Sequence, residues 1–548
     1  MNIDFSKFED FSKLFLNYIN NFDEVKEYYH KNFREAEDLF ATMQEIMNSN
    51  YHNREKLVEI LNKQYKDYPA STITKKNIEL LKEKTTFAIV TGQQAGIIGG
   101  PLYNIYKIIT TIKLCNILNH KFDEYRFVPV FWMEVEDHDF DEIRNVYLLD
   151  KDYELKQITY DDVEKFTNRG SVGKLKINKN IETFLTQLDN NLPISSFKSN
   201  LIEKLRKIYC NNKTFSQAFK ELLFEFFDRY GLIIFDTIEK DVKEYLKPIF
   251  IDEINNYIEH SVKLVSISAD LEKNYHAQIK IRPVNLFFSN DNSRYLIEPS
   301  ERNGEFIIKS INKVLTSDEL IEMINNEPYN FSPNVVLRPI CQDYIFPTVF
   351  YVGGPSEIAY FAQIFSIYDN FNLVKPIIYP RASATIVEKS NEKRLEKLGI
   401  ELIDIFIDYN DFINKINSQN VDNNLIEAVD ELFNNFSLDF ERLKNDTKDF
   451  DQNLINNFNK TYENIAHSIN ILKKKINEAQ LRKNSILIEQ AKRLHNSLYP
   501  EATLQERYIS WIYFVSKYGP TFIDEIYDKL QINVYDHQII NYTPKVLV

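Results

Sequence analysis

The segment from Ala88 to Ile109, "AIVTGQQAGIIGGPLYNIYKII", constrains the fold more than any other part of the chain. The sequence has 12 glycines in 548 residues, and Gly92, Gly96, Gly99 and Gly100 fall within nine positions here. Glycine is costly in ordered backbone unless a positive φ or a close approach requires it. Before the cluster, "TFAIV" reads as a short buried strand. After it, Pro101 suits the first turn of a helix, where its missing N–H leaves nothing unpaired. That helix carries Ile105, Ile108, Ile109, Ile112 and Cys115. "RFVPVFWMEV" follows as a continuous apolar strand, suited to a parallel sheet covered on both faces. Strand, helix, strand is a βαβ unit. It places the loop at the carboxyl edge of the sheet, where open α/β sheets bind ligands.

A second turn repeats the device. "GGPLYNIY" at 99–106 and "GGPSEIAY" at 353–360 share GGP and a Tyr five positions after the Pro. The second lies between the predicted strands "TVFYV" and "KPIIYP", with "NVVLRP" predicted as a strand just before them. Residues 1–84 read as helices, from apolar residues at three- and four-residue spacing. From about 151 to 330 the pattern is mixed: "GSVGKLKI" and "GLIIFD" read as strands, "FSQAFKELLFEFFDRY" as a helix, and "PVNLFFS" with "RYLIEP" as a pair. From Leu454 to Ala479 apolar residues recur in a heptad seam through Phe458, Tyr462, Ile465, Ile469, Leu472 and Ile476. "NNLIEAVDELFNNF" is placed to fold back against it. The aromatic-rich end, "LQERYISWIYFVSKYGPTFIDEIY", is expected to pack on the core. The expected domains are a core at 1–385 with an insertion around 151–330, a helical coiled-coil domain at 386–500, and a segment at 501–548 returning to the core.

Composition excludes several classes of function. With 44% hydrophobic and 14% aromatic residues, the chain has ample material for a core. A formal charge of −14 argues against nucleic-acid binding as the main task. The three cysteines, Cys115, Cys210 and Cys341, are far apart and form no CxxC pair. No run of about 18 apolar residues offers a membrane span. The start, "MNIDFSKFEDF", has neither a basic nor an apolar leader, so a cytoplasmic protein is expected.

Three constellations carry candidate chemistry. The first is the glycine-rich loop, whose helix N-terminus suits phosphate or carboxylate. Its spacing matches neither GxGxxG nor a Walker A motif. Gln93 and Gln94 stand at the strand end, and Lys107 two turns into the helix either reaches an anion or points to solvent. The second is "WMEVEDHDFDEI", where Glu134, Glu136, Asp137, Asp139, Asp141 and Glu142 surround His138. Such a cluster holds Mg²⁺, supplies a general base, or is a solvated acidic loop. One His without a nearby Cys makes a weak zinc site. The third gathers Arg338, Gln342, Asp343, Glu357, Arg381 and Ser383 at predicted strand ends, with the two arginines suited to clamp an anion.

Together, "TGQQAGIIGGPLYNIYK", "VPVFWMEVEDHDFDEI", "LRPICQDYIFPTVFYVGGPSEIAYFAQI", "PRAS" and "LYPEATLQER" resemble the cysteine-adding enzyme family of bacillithiol biosynthesis, in order and over nearly the whole chain. The resemblance implies an α/β, Rossmann-like core of the nucleotidyltransferase type, an inserted connecting region and an α-helical coiled-coil domain that dimerises. It implies a ligase that joins cysteine to glucosaminyl-malate, with ATP and Mg²⁺ activating the cysteine carboxylate. The residues it carries over are Thr91, Gly92, Gln93, Gln94, Gly96, Gly99 and Pro101, then Glu136, Asp137, His138 and Asp139, then Arg338, Gln342, Asp343, Gly353, Gly354, Pro355, Glu357 and Arg381. His138 or Asp137 is the expected base, with His138 preferred, and Asp137, Asp139, Arg338 and Arg381 are expected at the phosphates. Ala95 departs from the family pattern, where Pro is expected. No Cys/His set stands ready to hold the substrate thiol through zinc. The competing readings are a nucleotidyltransferase or kinase of the same fold, and a non-enzymatic coiled-coil scaffold.

Overall fold

A computed structural model describes residues 1–161, 170–290, 293–302, 304–308, 313–419, 424–447, 454–483 and 485–544. Strand β1 (Thr86–Gln94) leads through the glycine-rich loop into helix α1 (Leu102–Lys121), and β2 (Arg126–Glu134) follows. Helix α2 (Phe215–Phe227) feeds β3 (Ile233–Asp236), and α3 (Lys240–Leu271) leaves it. Helix α4 (Leu337–Ile345) precedes β4 (Thr348–Gly353), then α5 (Pro355–Ile364) and β5 (Ile377–Pro380). These five strands form one parallel sheet in the order β5-β4-β1-β2-β3. Strand order reverses at β1, between the β1–α1 and β4–α5 turns, so their carboxyl ends flank the crevice such sheets offer to ligands. Both central strands are buried on both faces nearly throughout, as their apolar runs require.

The strand β1 runs four residues beyond "TFAIV". Its pairing with β2 continues to Gln94 beside Glu134, so Thr91, Gly92, Gln93 and Gln94 belong to the sheet rather than to the loop. Pro101 caps α1, with φ −72° and ψ 169°, one position before the first helical residue.

Two predicted strands are absent. "NVVLRP" turns into α4, because the Asn334 side-chain oxygen accepts the N–H groups of Val336 and Leu337 at 2.9 and 3.0 Å. Local capping there outweighs the β preference of the valines. "GSVGKLKI" is a 3₁₀ turn, Val172–Lys174, in which Gly173 lies against Val135 so closely that a Cβ would meet its carbonyl oxygen at 2.9 Å. The pair Leu286–Asn290 and Ser293–Leu296 is antiparallel, as expected.

Beyond the sheet, β6 (Ser383–Glu388) leads toward the helical region. Helices α6 (Asn424–Asp446) and α7 (Leu454–Lys483) form an antiparallel hairpin, with Phe433 against Tyr462 and Phe440 against Phe458. Helix α8 (Ser485–Leu498) returns, α9 (Trp511–Tyr518) packs on the glycine-rich loop, and β7 (His537–Tyr542) pairs parallel to β6. Asn2–Ile3 pairs with the same strand, so both ends of the chain share one small sheet.

Candidate active site

Two adjoining chambers open at the carboxyl edge of the sheet. One, of about 430 Å³, is lined by Gln93, Tyr103, Lys107, Glu357, Arg381 and Arg507. The other, of about 370 Å³, is lined by Glu136, Asp137, His138, Arg294, Lys280 and Arg282. Gln94, Glu134, Glu142 and Arg338 line both. Arg338 donates from Nη1 to Glu134 at 2.7 Å and from Nη2 to the Tyr360 hydroxyl at 3.0 Å. This ion pair is the partition between the chambers. Burial raises the Glu134 carboxyl above its usual range despite Arg338.

The Arg381 chamber is built on the two GGP helices. Lys107, 2% exposed, donates to the Gly92 carbonyl at 2.8 Å and to the Gln93 side chain at 3.0 Å, and pairs with Glu357. It neither points to solvent nor stands free for an anion; it ties α1 to α5. Glu357 also accepts the Tyr351 hydroxyl at 2.5 Å and the Gly354 N–H at 2.8 Å. Burial favours its neutral form, but Lys107 overcomes this and holds the carboxyl below the usual range. Gly354 leaves room for Arg381, whose Nε a Cβ would meet at 3.3 Å. Arg381 in turn donates to the buried carboxylate of Glu506 at 2.7 Å. Glu506 also accepts Ser383 Oγ and the Ala384 N–H.

The His138 chamber takes its wall from the insertion. Asp137 Oδ1 lies 3.2 Å from His138 Nδ1 and 3.5 Å from Arg294. Burial raises the Asp137 carboxyl, but the hydrogen bond with His138 and the Arg294 charge prevail and hold it well below the usual range. His138 Nδ1 faces both the Asp137 carboxylate and, at 3.5 Å, Arg294 Nη1, so Asp137 favours and Arg294 opposes the tautomer that carries its proton on Nδ1. Arg294 is fixed by Ser332 Oγ at 3.0 Å, the Pro333 carbonyl at 2.9 Å and the Phe287 ring at 3.8 Å. Glu136 pairs with buried Lys243 of α3.

Several expected site residues lie elsewhere. Thr91, Gly92, Gly96, Gly99, Gly100 and Gly353 line neither chamber. The loop N–H groups are used internally: Gly99 to Gly96, Gly100 to Ile97, Ile98 to the Tyr209 hydroxyl, and Leu102 to Ile509. What the loop approaches is Trp511. Gln342 and Asp343 are buried on the inner face of α4, where Asp343 accepts the Tyr368 hydroxyl at 2.6 Å. Asp139 caps the short helix Phe140–Ile143 and is exposed. Among the described residues no group of three His, Cys, Asp or Glu side chains is arranged to hold a metal ion.

Residues 1–382 match the family model described as "Bacillithiol biosynthesis BshC, N-terminal Rossmann-like domain", and residues 384–542 match the corresponding "C-terminal coiled-coil domain". The chain belongs to the bacillithiol biosynthesis BshC family. It is similar to proteins named "Putative cysteine ligase BshC" from three bacteria. That of Salinibacter ruber is 33% identical, covering 97% of this chain and 96% of the relative. That of Chloroherpeton thalassium is 31% identical, covering 97% of each. That of Flavobacterium psychrophilum is 30% identical, covering 96% and 97%. Membership of BshC makes the chain an enzyme of the ligase class with a Rossmann-like domain and a coiled-coil domain.

Tyr103, Lys280, Arg282, Arg294, Tyr360 and Arg507 also line the two chambers, and Glu506 holds Arg381 from behind. Arg507 and Glu506 sit in "LYPEATLQER", which was visible as a motif but not as part of the pocket. Lys280, Arg282 and Arg294 lie in the mixed insertion, where no local pattern signals a site.

Proposed function

We propose that the chain joins L-cysteine to the amine of glucosaminyl-malate to form bacillithiol, with ATP activating the cysteine carboxylate. The observation that carries this reading is the pair of substrate-sized chambers meeting at Glu134–Arg338, in a chain that matches BshC over nearly its whole length. An amine does not displace the oxygen of a free carboxylate, so a carboxylate oxygen first bonds to the α-phosphorus of ATP as the α–β P–O bond breaks, releasing pyrophosphate and leaving an adenylyl group on the carboxylate. The amide C–N bond then forms as the C–O bond to that group breaks. The attacking amine must be neutral, and His138, beside Asp137, is the base that takes its proton. Arg507, which has no ion-pair partner among the described residues, supplies the spare cation for the departing phosphate, beside Arg381 and Arg338 held by Glu506 and Glu134. The carboxylates at hand are largely engaged, Glu134 with Arg338, Glu136 with Lys243 and Asp137 with Arg294. Mg²⁺ is therefore read as arriving on the nucleotide phosphates rather than in a protein cage.

The hairpin α6–α7 is read as the dimer surface. Leu425, Leu432, Leu438, Leu443, Ile471 and Leu472 are exposed along it, which a second copy would cover. The seam residues Phe458 and Tyr462 are already engaged within the hairpin. No helix of the described residues is long and apolar enough to cross a membrane. The dependence on ATP points to the cytoplasm.

The test is to incubate purified protein with glucosaminyl-malate, cysteine, ATP and Mg²⁺, following bacillithiol by mass spectrometry and pyrophosphate against ADP. The expected result is bacillithiol with pyrophosphate. Failure of the gene to restore bacillithiol to a deletion strain would overturn the function. Restoration at the normal rate by His138→Ala would overturn the role of that base.

A further inference from the structure

The two chambers carry different spare charge. In the Arg381 chamber, Lys107, Arg338 and Arg381 are matched by Glu357, Glu134 and Glu506. What remains is exposed Arg507 against exposed Glu142. In the His138 chamber, Glu134, Glu136 and Asp137 are matched by Arg338, Lys243 and Arg294. Glu142 is again the remaining acid, but two cations stand against it. The segment "QIKIRPV" between α3 and the Leu286–Asn290 strand adds Lys280 and Arg282 to this wall.

The geometry of that segment fixes both cations on one side. Ile279 is buried and Ile281 half-buried, while Lys280 and Arg282 are exposed. The Ile279 N–H donates to the buried Gln363 side chain at 2.7 Å, which pins the segment to α5. Neither Lys280 nor Arg282 has an ion-pair partner among the described residues. Arg294, by contrast, has its fork engaged by Ser332, Pro333 and Asp137, and serves as wall rather than as ligand. An ammonium and a guanidinium two residues apart, beside one acid, favour a ligand with two anionic groups.

We propose that Lys280 and Arg282 bind the two carboxylates of the acceptor's malate moiety. The acceptor then sits in the His138 chamber, with its amine on the side of the base, and the Arg381 chamber is left to the activated cysteine. This rests on the ligase reading above. The phosphates of a nucleotide offer similar chemistry, so the test separates the two.

Calorimetric titration of the full chain with glucosaminyl-malate, malate, methyl glucosaminide and ATP decides the matter. Lys280→Ala and Arg282→Ala are each expected to weaken glucosaminyl-malate about tenfold, the scale of one charge-assisted contact, and to leave ATP unchanged. Methyl glucosaminide, which lacks the malate, is expected to be indifferent to both. Because both side chains are exposed, circular dichroism should show an unchanged unfolding midpoint. Undiminished glucosaminyl-malate affinity in the folded double variant overturns the proposal. So does a loss of ATP affinity in its place. Wild-type protein that binds malate through these residues yet takes no glucosaminyl-malate would keep the anion site and sink the ligase reading.

Discussion

Trp511 closes over Gly99. Its indole Nε1–H donates to the Gly99 carbonyl at 3.2 Å, and a Cβ on Gly99 would lie 2.5 Å from that nitrogen. Gly99 also has φ +84°, in the left-handed region. The glycine cluster therefore serves a close approach of protein to protein. Gly99→Ala is expected to lower stability by about 3 kcal/mol, from backbone strain and overpacking together. Chemical denaturation measures it. An unchanged midpoint would mean the indole moves aside freely. Gly99→Val, which clashes further, reports on folding and not on ligand approach.

Lys107 and Glu357 link the two GGP helices through a buried ion pair. Lys107→Met leaves Glu357 buried without its cation, at an expected cost of about 3–5 kcal/mol. The double variant with Glu357→Gln should lose less than the sum of the single losses. Strict additivity in this double-mutant cycle would show that the two side chains act independently.

Asp343 gives a pH dependence of known sign. Burial raises its carboxyl from the usual 3.8 to about 6, against the hydrogen bonds from Tyr368 and Gln342. Between those values the folded chain binds more protons than the unfolded one. The contribution is fully present below about pH 4 and is lost as pH rises toward 6. The span is on the order of 3 kcal/mol. Asp343→Asn should flatten stability across this window in urea titrations at several pH values. An unchanged profile would show that Asp343 ionises normally.

Glu506 acts through Arg381, so it is a positioning residue. Glu506→Gln weakens the charge-assisted bond that aims the guanidinium. We expect KM for cysteine or ATP to rise about tenfold while KM for the acceptor stays unchanged. Glu506→Asp should recover part of the loss. Equal changes in both KM values would indicate general loosening of the site.

The exposed leucines of the hairpin test the dimer. Leu432 and Leu438 are 64% and 72% exposed, so Leu432→Glu with Leu438→Glu costs little within one chain. Light scattering should show the wild type as a dimer and the double variant as a folded monomer. A monomeric wild type at micromolar concentration would remove the interface.

The sheet was legible because its strands are continuous apolar runs, each bounded by a turn and a helix. Gln93, Gln94, His138 and Arg381 were legible as polar residues at or just past the ends of those runs, whereas Arg338 reaches the site from a helix that its sequence reads as a strand. The meaning of the glycines was not, because Trp511 lies more than 400 positions away and close packing leaves no local mark. Gln342 and Asp343 misled because "NVVLRP" has strand composition, while Asn334 starts a helix that turns both side chains inward. Lys280, Arg282 and Arg294 stayed hidden because the insertion contributes a wall, and a wall needs only the right address in space.

Arg381 and Glu506 are 125 positions apart, and the whole α6–α7 hairpin lies between them. During synthesis Arg381 emerges with its strand long before its carboxylate exists. At typical elongation rates that interval is roughly 6–25 s. The Rossmann-like part, residues 1–382, can assemble its five strands in that time, but one wall of its pocket holds an uncompensated buried cation. The Arg381 wall and the packing of Trp511 on the glycine-rich loop are then complete only when the last tenth of the chain has arrived, so the final segment closes what the first strands begin.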